Sequence, residues 1–310
     1  MRALVTGISG QDGSYLAESL AADGVEVFGT HTGDGTPSLP DGVQSCVLDL
    51  KDRDALAALV GEFAPDQVFH LAAVSSVAAS WEDPVGTCDV NGTASVALLE
   101  ACWRLQRERG RAVRFVQAST AEIFGDAAPP QNEETPLRPA NPYGAAKALA
   151  HLAVGLYRGR GLGASSLVLY NHESPRRPET FVSRKITSTV ARIARGEAAQ
   201  LRLGNLDARR DWGWAPDYVR AMRLAADGPA GDFVIATGVS HSVRDFVAAA
   251  FTHVGIADWE PYVVVDPELF RPVEAAEQVG DASRARRVLG WEPSLSFTKL
   301  VAAMVEADLP

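Results

Sequence analysis

Tyr143 and Lys147 stand four residues apart in the run Tyr143-Gly144-Ala145-Ala146-Lys147. On a helix that spacing puts a phenol and an ammonium on one face. A cation beside a phenol favours the phenolate, so the pair is expected to lower the phenol's pKa and make Tyr143 a base near neutral pH. A second reactive group of residues is Ser119-Thr120-Ala121-Glu122, just past the strand-like run 113–117. There Thr120 can hydrogen-bond a reacting hydroxyl. Glu122, two residues on, either projects into the same cleft or is a surface carboxylate or helix cap.

A third pattern opens the chain. Thr6-Gly7-Ile8-Ser9-Gly10-Gln11-Asp12-Gly13 is a GxxGxxG run between a strand-like and a helix-like segment. Glycines let a backbone approach a pyrophosphate, and the helix that follows offers free N–H groups and the positive end of its dipole. Gly7, Ser9, Gly10, Gln11, Asp12 and Gly13 are therefore expected to hold a dinucleotide. Strand two ends in Thr30-His31-Thr32, with no acid before Asp34 to take a ribose 2′-hydroxyl and no arginine to take a 2′-phosphate. Thr30 can donate to a phosphate, so NADP is the expected cofactor and NAD the alternative. Asp49-Leu50, after strand three, suits a contact to adenine.

The elements that must position these groups alternate. Strand-like runs cover 3–5, 25–28, 46–48, 67–71, 113–117 and 165–169; helix-like runs cover 14–22, 53–63, 93–107 and 142–157. That rhythm predicts an α/β fold, a Rossmann-type doubly wound parallel sheet with ligands outside the carboxyl ends of its strands. After Tyr170 the rhythm breaks, and Pro175, Pro178, Pro216 and Pro229 punctuate shorter elements. The expected division is a dinucleotide-binding domain over 1–170, with a return segment near 214–240, and a smaller C-terminal α/β substrate-binding domain over 171–310.

Bulk properties exclude several classes. A formal charge of −10 over 310 residues argues against nucleic acid and membrane surfaces as partners. Cys46, Cys88 and Cys102 have neither disulfide-framework nor zinc-ligand spacing, so no metal site is expected. No apolar run is long enough to span a bilayer and no signal-like segment precedes the first strand, which makes the cytoplasm the expected compartment.

These residues resemble the extended short-chain dehydrogenase/reductase family and, within it, the GDP-mannose 4,6-dehydratases. The resemblance rests on GISGQDGSYLAE at 7–18, STAEIFG at 119–125, NHESPRRPETFVSRKIT at 171–187, GNLDARRDWGWAPDYVRAM at 204–222, HSVRDF at 241–246, RPVE at 271–274 and LGWEPSLSF at 289–297. It implies that Tyr143 takes the proton of a sugar 4-hydroxyl and that Lys147 holds the cofactor ribose. Thr120 would polarise the C4 oxygen, and Glu122 would remove the C5 proton and assist departure of the 6-hydroxyl. It places Leu71, Ala72, Ala73, Ser75, His172 and Arg177 at the cofactor. Around a GDP-sugar it places Ser75, Asn171, Val182, Lys185, Gly204, Arg210, Arg271 and Glu274 together with Thr120 and Glu122.

The chain departs from the family pattern in having a short loop at 33–42 without arginine or lysine, where the family has a longer one that holds the 2′-phosphate and helps build a tetramer. Gly86 and Trp214 also stand where the family places other side chains. A homodimer, through the helices over 93–107 and 142–157, is the expected assembly. Two other readings share these motifs: an NDP-sugar epimerase or 4-ketoreductase on the same scaffold, and a dinucleotide-binding sensor or scaffold without catalysis. Glu122 and the 171–187 segment favour dehydration over the first, and the joint presence of Thr120, Glu122, Tyr143 and Lys147 favours an enzyme over the second.

Overall fold

Strand β1 (Arg2–Thr6) is fully buried at Ala3, Leu4 and Val5. A strand apolar on both faces belongs in the middle of a covered parallel sheet. That is where β1 lies in the computed structural model, which describes residues 1–33, 37–270 and 277–309. The chain continues through α1 (Gln11–Ala22), β2 (Glu26–His31), β3 (Gln44–Val47), α2 (Arg53–Phe63) and β4 (Gln67–His70). Two short helices, α3 (Val77–Glu82) and α4 (Pro84–Cys88), lead by a π-helical turn, Asp89–Thr93, into α5 (Ala94–Arg109). Then come β5 (Arg114–Ala118), α6 (Pro142–Gly159) and β6 (Gly163–Leu169).

Seven parallel strands form the main sheet in the order β10-β6-β5-β4-β1-β2-β3, where β10 is Asp232–Ile235. The chain leaves β1 toward β2 and β3, then crosses back to β4 on the other side of β1. Parallel sheets open a crevice at such a reversal, at the carboxyl ends of the strands. The pleat divides the core in two. Ala3 and Val5 face α1 and α8 (Ala215–Asp227), with Leu16, Leu20, Tyr218 and Met222. Leu4 faces α2, α5 and α6, with Leu56, Val60, Leu98, Leu99, Cys102 and Val154.

A second lobe follows β6. Strands β7 (Asn171–Glu173), β9 (Arg209–Trp214), β11 (Ser240–Ser242) and β13 (Glu277–Gln278) make a small mixed sheet around β9. Strand β8 (Leu201–Leu203) pairs with β12 (Val263–Val265). Helices α7 (Val182–Ala194), α9 (Val243–His253) and α11 (Phe297–Asp308) close a third core with Trp212, Phe246, Phe251, Leu300 and Met304. Helix α10 (Ser283–Leu289) returns to the main sheet, where Ala285 and Leu289 join the core beside α8. Among the described residues no helix is long and apolar enough to cross a membrane, and all three cysteines are free.

The doubly wound parallel sheet expected from the alternation is present, with shifted boundaries. Strand two runs to His31 rather than 28, because parallel pairing to β1 and β3 continues through Thr30 and His31. Helices α3 and α4 are too short to show a period. They are set instead by caps: Ser76 accepts from Ala79 N, and Asp83 accepts from Gly86 N ahead of Pro84.

Candidate active site

The glycine run sits where β1 meets α1. Gly7 has φ +73, which favours glycine, and a Cβ there would lie 2.9 Å from the Ala72 backbone. A Cβ on Gly13 would lie 2.7 Å from Ile8 Cα. Gly10 is exposed and caps α1 without any side-chain hydrogen bond. The first turn of α1 therefore keeps a bare, positively polarised end. Beside it opens a cavity of about 310 Å³ lined by Ser9, Gly10, Gln11, Ser14, Ser38 and Arg176, among others. Helix-end amides and hydroxyls fit the pyrophosphate of a dinucleotide, while the Arg176 guanidinium is paired with Glu18, also in the lining, at 2.7 Å.

The side chains of Gln11 and Asp12 are engaged with the second lobe. His172 Nε2 meets Asp12 Oδ2 at 2.8 Å, and its Nδ1 meets Tyr170 O at 2.8 Å. A carbonyl and a carboxylate only accept, so both ring nitrogens donate and His172 is an imidazolium. Burial opposes charge on both partners, but the facing charges prevail: Asp12 lies below and His172 above its usual range. Gln11 Nε2 donates to His172 O at 3.2 Å and Gln11 Oε1 accepts from Ser174 Oγ at 2.8 Å. The His172 ring stacks on Tyr218, 4.5 Å between centroids.

On the far side of the crevice, Thr6 Oγ1 accepts from Leu71 N and Ala72 N, each at 3.2 Å. It lies 2.7 Å from His70 Nδ1, to which its own proton must go. His70 Nε2 then donates to Ser95 Oγ at 3.0 Å. Burial, with the charge of Lys147, pulls His70 down to about 3, so this chain of bonds is neutral. Asn91, in the π-helical turn, grips Val74 by both backbone groups at 2.8 and 2.9 Å. Leu71, Ala72, Ala73 and Ser75 thus lie on a stretch whose backbone is fixed from below. Thr6, His70 and Asn91 were missed in the sequence, since no local spacing links them.

Thr120, two residues past β5, is extended, and its Oγ1 accepts from Glu122 N at 3.3 Å, the cap of a single 3₁₀ turn. The Thr120 hydroxyl lies close enough to the Tyr143 phenol to favour its phenolate form. Helix α6 starts directly on this turn, where a Cβ on Gly144 would lie 2.5 Å from Glu122 O. Asn141 joins the two: its Oδ1 caps α6 by accepting from Gly144 N at 2.8 Å, and its Nδ2 donates to Glu122 Oε2 at 2.8 Å. Glu122 Oε1 accepts from Gln278 Nε2 at 3.3 Å. Lys147 is buried and donates to Ala118 O at 2.9 Å. Thr120, Glu122, Tyr143 and Lys147 are therefore gathered at one strand end.

One expectation is overturned. The Tyr143 phenol is pushed up to about 12, not lowered. Burial is the cause: the hydrogen bond from Thr120 and the nearby Arg177 pull the phenol down, Glu122 and Asp12 push it up by less, and burial outweighs them all. Lys147 turns its ammonium to Ala118 O, and burial brings it down to about 8.

The remaining expected positions are spread more widely. Thr30 is buried, and its carbonyl accepts from Gly7 N and Ile8 N at 2.9 and 3.1 Å. Asp49 is exposed and accepts from Lys51 N, and Leu50 packs in the core. Arg177 is held between Glu173, at 3.3 Å, and the Phe181 ring. Val182 and Lys185 lie in the first turn of α7, and Asn171 and Arg210 lie in the paired strands β7 and β9. Gly204 takes the close approach of Leu269 O, 2.6 Å from where its Cβ would be. Arg271 and Glu274 lie outside the described residues.

A doubly wound sheet with a glycine loop at its reversal and a Tyr–Lys pair on the helix after β5 defines the short-chain dehydrogenase/reductase class of dinucleotide enzymes. A sequence model described as GDP-mannose 4,6 dehydratase matches residues 4–304. The chain belongs to that family. It is 44% identical to GDP-mannose 4,6 dehydratase 1 of Arabidopsis thaliana, covering 99% of this chain and 89% of that protein. It is 41% identical to GDP-mannose 4,6-dehydratase of Vibrio cholerae, covering 99% and 94%. Among solved structures, UDP-glucose 4-epimerase of Thermus thermophilus in complex with NAD matches with a TM-score of 0.87 at 30% identity, covering 99% of this chain and 98% of that one.

The Asp12–His172 pair predicts a pH signature. A raised histidine pKa stabilises the fold fully below 6.5 and loses that effect as pH climbs through the folded value; a lowered aspartate pKa stabilises above 3.8. His172→Phe keeps the stack on Tyr218 but strands Asp12, and is expected to cost about 3 kcal/mol. In urea denaturation the gap to wild type should be widest between pH 4 and 6.5 and shrink above. A gap independent of pH would rule out the charged pair.

Proposed function

We propose that this protein converts GDP-mannose to GDP-4-keto-6-deoxymannose through a nicotinamide cofactor, NADP with NAD as the alternative. The observation that carries the reading is the Glu122 carboxylate, held by amides on both oxygens beside the Thr120–Tyr143 pair. Oxidation at C4 alone has no use for a carboxylate there; elimination does. When bound, the oxidised nicotinamide supplies a hydride acceptor and a positive charge.

The chain's own groups divide the work. The Thr120 hydroxyl donates to the C4 oxygen, and Tyr143 takes the 4-hydroxyl proton as hydride leaves C4. Because the phenol rests protonated, that transfer depends on positive charge beside it; Arg177 supplies part of it, and the Thr120 hydroxyl favours the phenolate. The new ketone makes the C5 hydrogen acidic, so oxidation precedes elimination. Glu122 removes that proton, then gives it to the departing 6-hydroxyl, which leaves as water. A hydride returned to C6 and the proton held on Tyr143 passed to C5, directly or through water, would complete the sum: one sugar gives one ketone and one water, and the enzyme's groups end as they began. Asn171, Val182, Lys185, Gly204 and Arg210 surround the GDP-sugar in this reading, the two cations serving the diphosphate.

The compartment proposed is the cytoplasm, consistent with three unpaired cysteines. The assembly proposed is a homodimer through α5 and α6. In support, Leu149, Leu152 and Leu156 form an exposed stripe on α6. Leu156→Glu is expected to shift a dimer to monomer in light scattering; a wild type that is already monomeric rejects the dimer.

Two measurements test the catalytic reading. Incubation with GDP- and UDP-hexoses, with NADP and NAD tested separately, should show loss of one water from GDP-mannose by mass spectrometry; loss only from another sugar discards the substrate. Glu122→Gln should still oxidise at C4 but lose product formation by roughly 100-fold or more. Full turnover in that variant would remove Glu122 from the mechanism.

A further inference from the structure

Gln278 is 3% exposed, in a strand of two residues. A buried primary amide must use its donors, because an unmet one costs as much as the bond it lacks. Its Nε2 lies 3.3 Å from Glu122 Oε1. The opposite oxygen, Oε2, takes Asn141 Nδ2 at 2.8 Å. Each carboxylate oxygen therefore carries one neutral N–H, one from each lobe.

The position of Gln278 is fixed from three sides. Parallel pairing to β9 sets Gln278 opposite Arg210 and Glu277 opposite Arg209. The next residues are tied to Gln131, in the loop that follows Glu122: Gln131 N donates to Val279 O and Asp281 N to Gln131 O, both at 2.8 Å. Gln131 is itself anchored, with Nε2 donating to Ala127 O at 2.6 Å and Oε1 accepting from Tyr170 at 2.5 Å. The buried Asp211 carboxylate accepts from Gly238 N at 2.8 Å and Gly280 N at 3.4 Å. A Cβ on Gly280 would lie 2.6 Å from the Tyr170 ring, so this stretch is packed tight.

We propose that Gln278 is a positioning residue for the elimination half of the reaction, holding Glu122 from the substrate lobe so that its free lone pairs meet C5 and the 6-hydroxyl. The proposal rests on the reading of Glu122 as the C5 base. A carboxylate has about four acceptor sites, and the two amides occupy one on each oxygen, leaving others for the sugar. The donor's neutrality matters as much as its place. A lysine or arginine there would orient Glu122 equally well but would make it too weak a base for a carbon-bound proton. An amide fixes the rotamer at a smaller cost in basicity than a full positive charge. The interaction also makes the base depend on the second lobe: β13, beside Arg210, must be seated for Glu122 to be held on both sides.

Gln278→Leu and the near-isosteric Gln278→Glu are the test, with thermal denaturation to establish that both fold. Both are expected to lower kcat for product roughly 10-fold or more, the worth of one hydrogen bond to a charged group, with KM within about twofold. Wash-in of solvent deuterium at C5 should slow in the same ratio. Reduced-nicotinamide absorbance should accumulate during turnover, because C4 oxidation continues while elimination lags. Product formation and C5 exchange at the wild-type rate would overturn the proposal. So would a proportional slowing of oxidation and elimination, which a purely structural role predicts. Glu122→Gln measured alongside separates the two readings: full elimination there defeats the role of Glu122 itself, whereas a dead Glu122→Gln beside fully active Gln278 variants defeats only the role of Gln278.

Discussion

The site depends on one side-chain amide that is asked to do two things. Asn141 caps α6 with its oxygen and holds Glu122 with its nitrogen. Because the oxygen is committed to Gly144 N, the orientation of the amide is decided, and the nitrogen can only donate toward the carboxylate. The cap sets where α6 begins, and therefore where Tyr143 and Lys147 project. The same group thus sets Glu122 and Tyr143, the two groups to which the proposed reaction gives its proton transfers, relative to each other. Gly144 makes the seat possible by leaving room for Glu122 O.

The electrostatics of this seat are severe. Tyr143 is half-buried, and loss of solvent around the phenol keeps it protonated. Lys147 is buried as well, and its ammonium spends a hydrogen bond on Ala118 O. A site arranged this way is poised to respond to added positive charge, which fits an enzyme whose first step removes a proton and a hydride together. Beneath it, His70 is neutral and passes hydrogen bonds from Thr6 to Ser95 without adding charge.

The two lobes are joined at the same crevice by two different devices. At the dinucleotide end, the Asp12–His172 ion pair and the Gln11–Ser174 bond tie α1 to β7. At the sugar end, Gln278 reaches Glu122 and Gln131 holds the strand that carries it. Gln11 and Asp12 stand in the glycine run, yet their side chains face the other lobe. A motif can mark a cofactor loop while some of its residues serve the seam beside it.

Much of this was legible in the sequence. The parallel sheet follows from apolar runs such as 3–5 that leave no polar face, and the glycine run and YxxxK spacing are local geometry, readable wherever the elements fall. The sequence by itself determined which groups are chemically able to act and which element carries each. Only the tertiary structure decided what surrounds them. The raised phenol of Tyr143 comes from burial by elements distant in the chain, so spacing to Lys147 pointed the wrong way. Gln278 lies 156 residues from Glu122, and His172 lies 160 from Asp12; such pairs exist only once β13 and β7 pair with β9. Hydrogen bonds and burial act through space, and local sequence patterns describe neighbours along the chain.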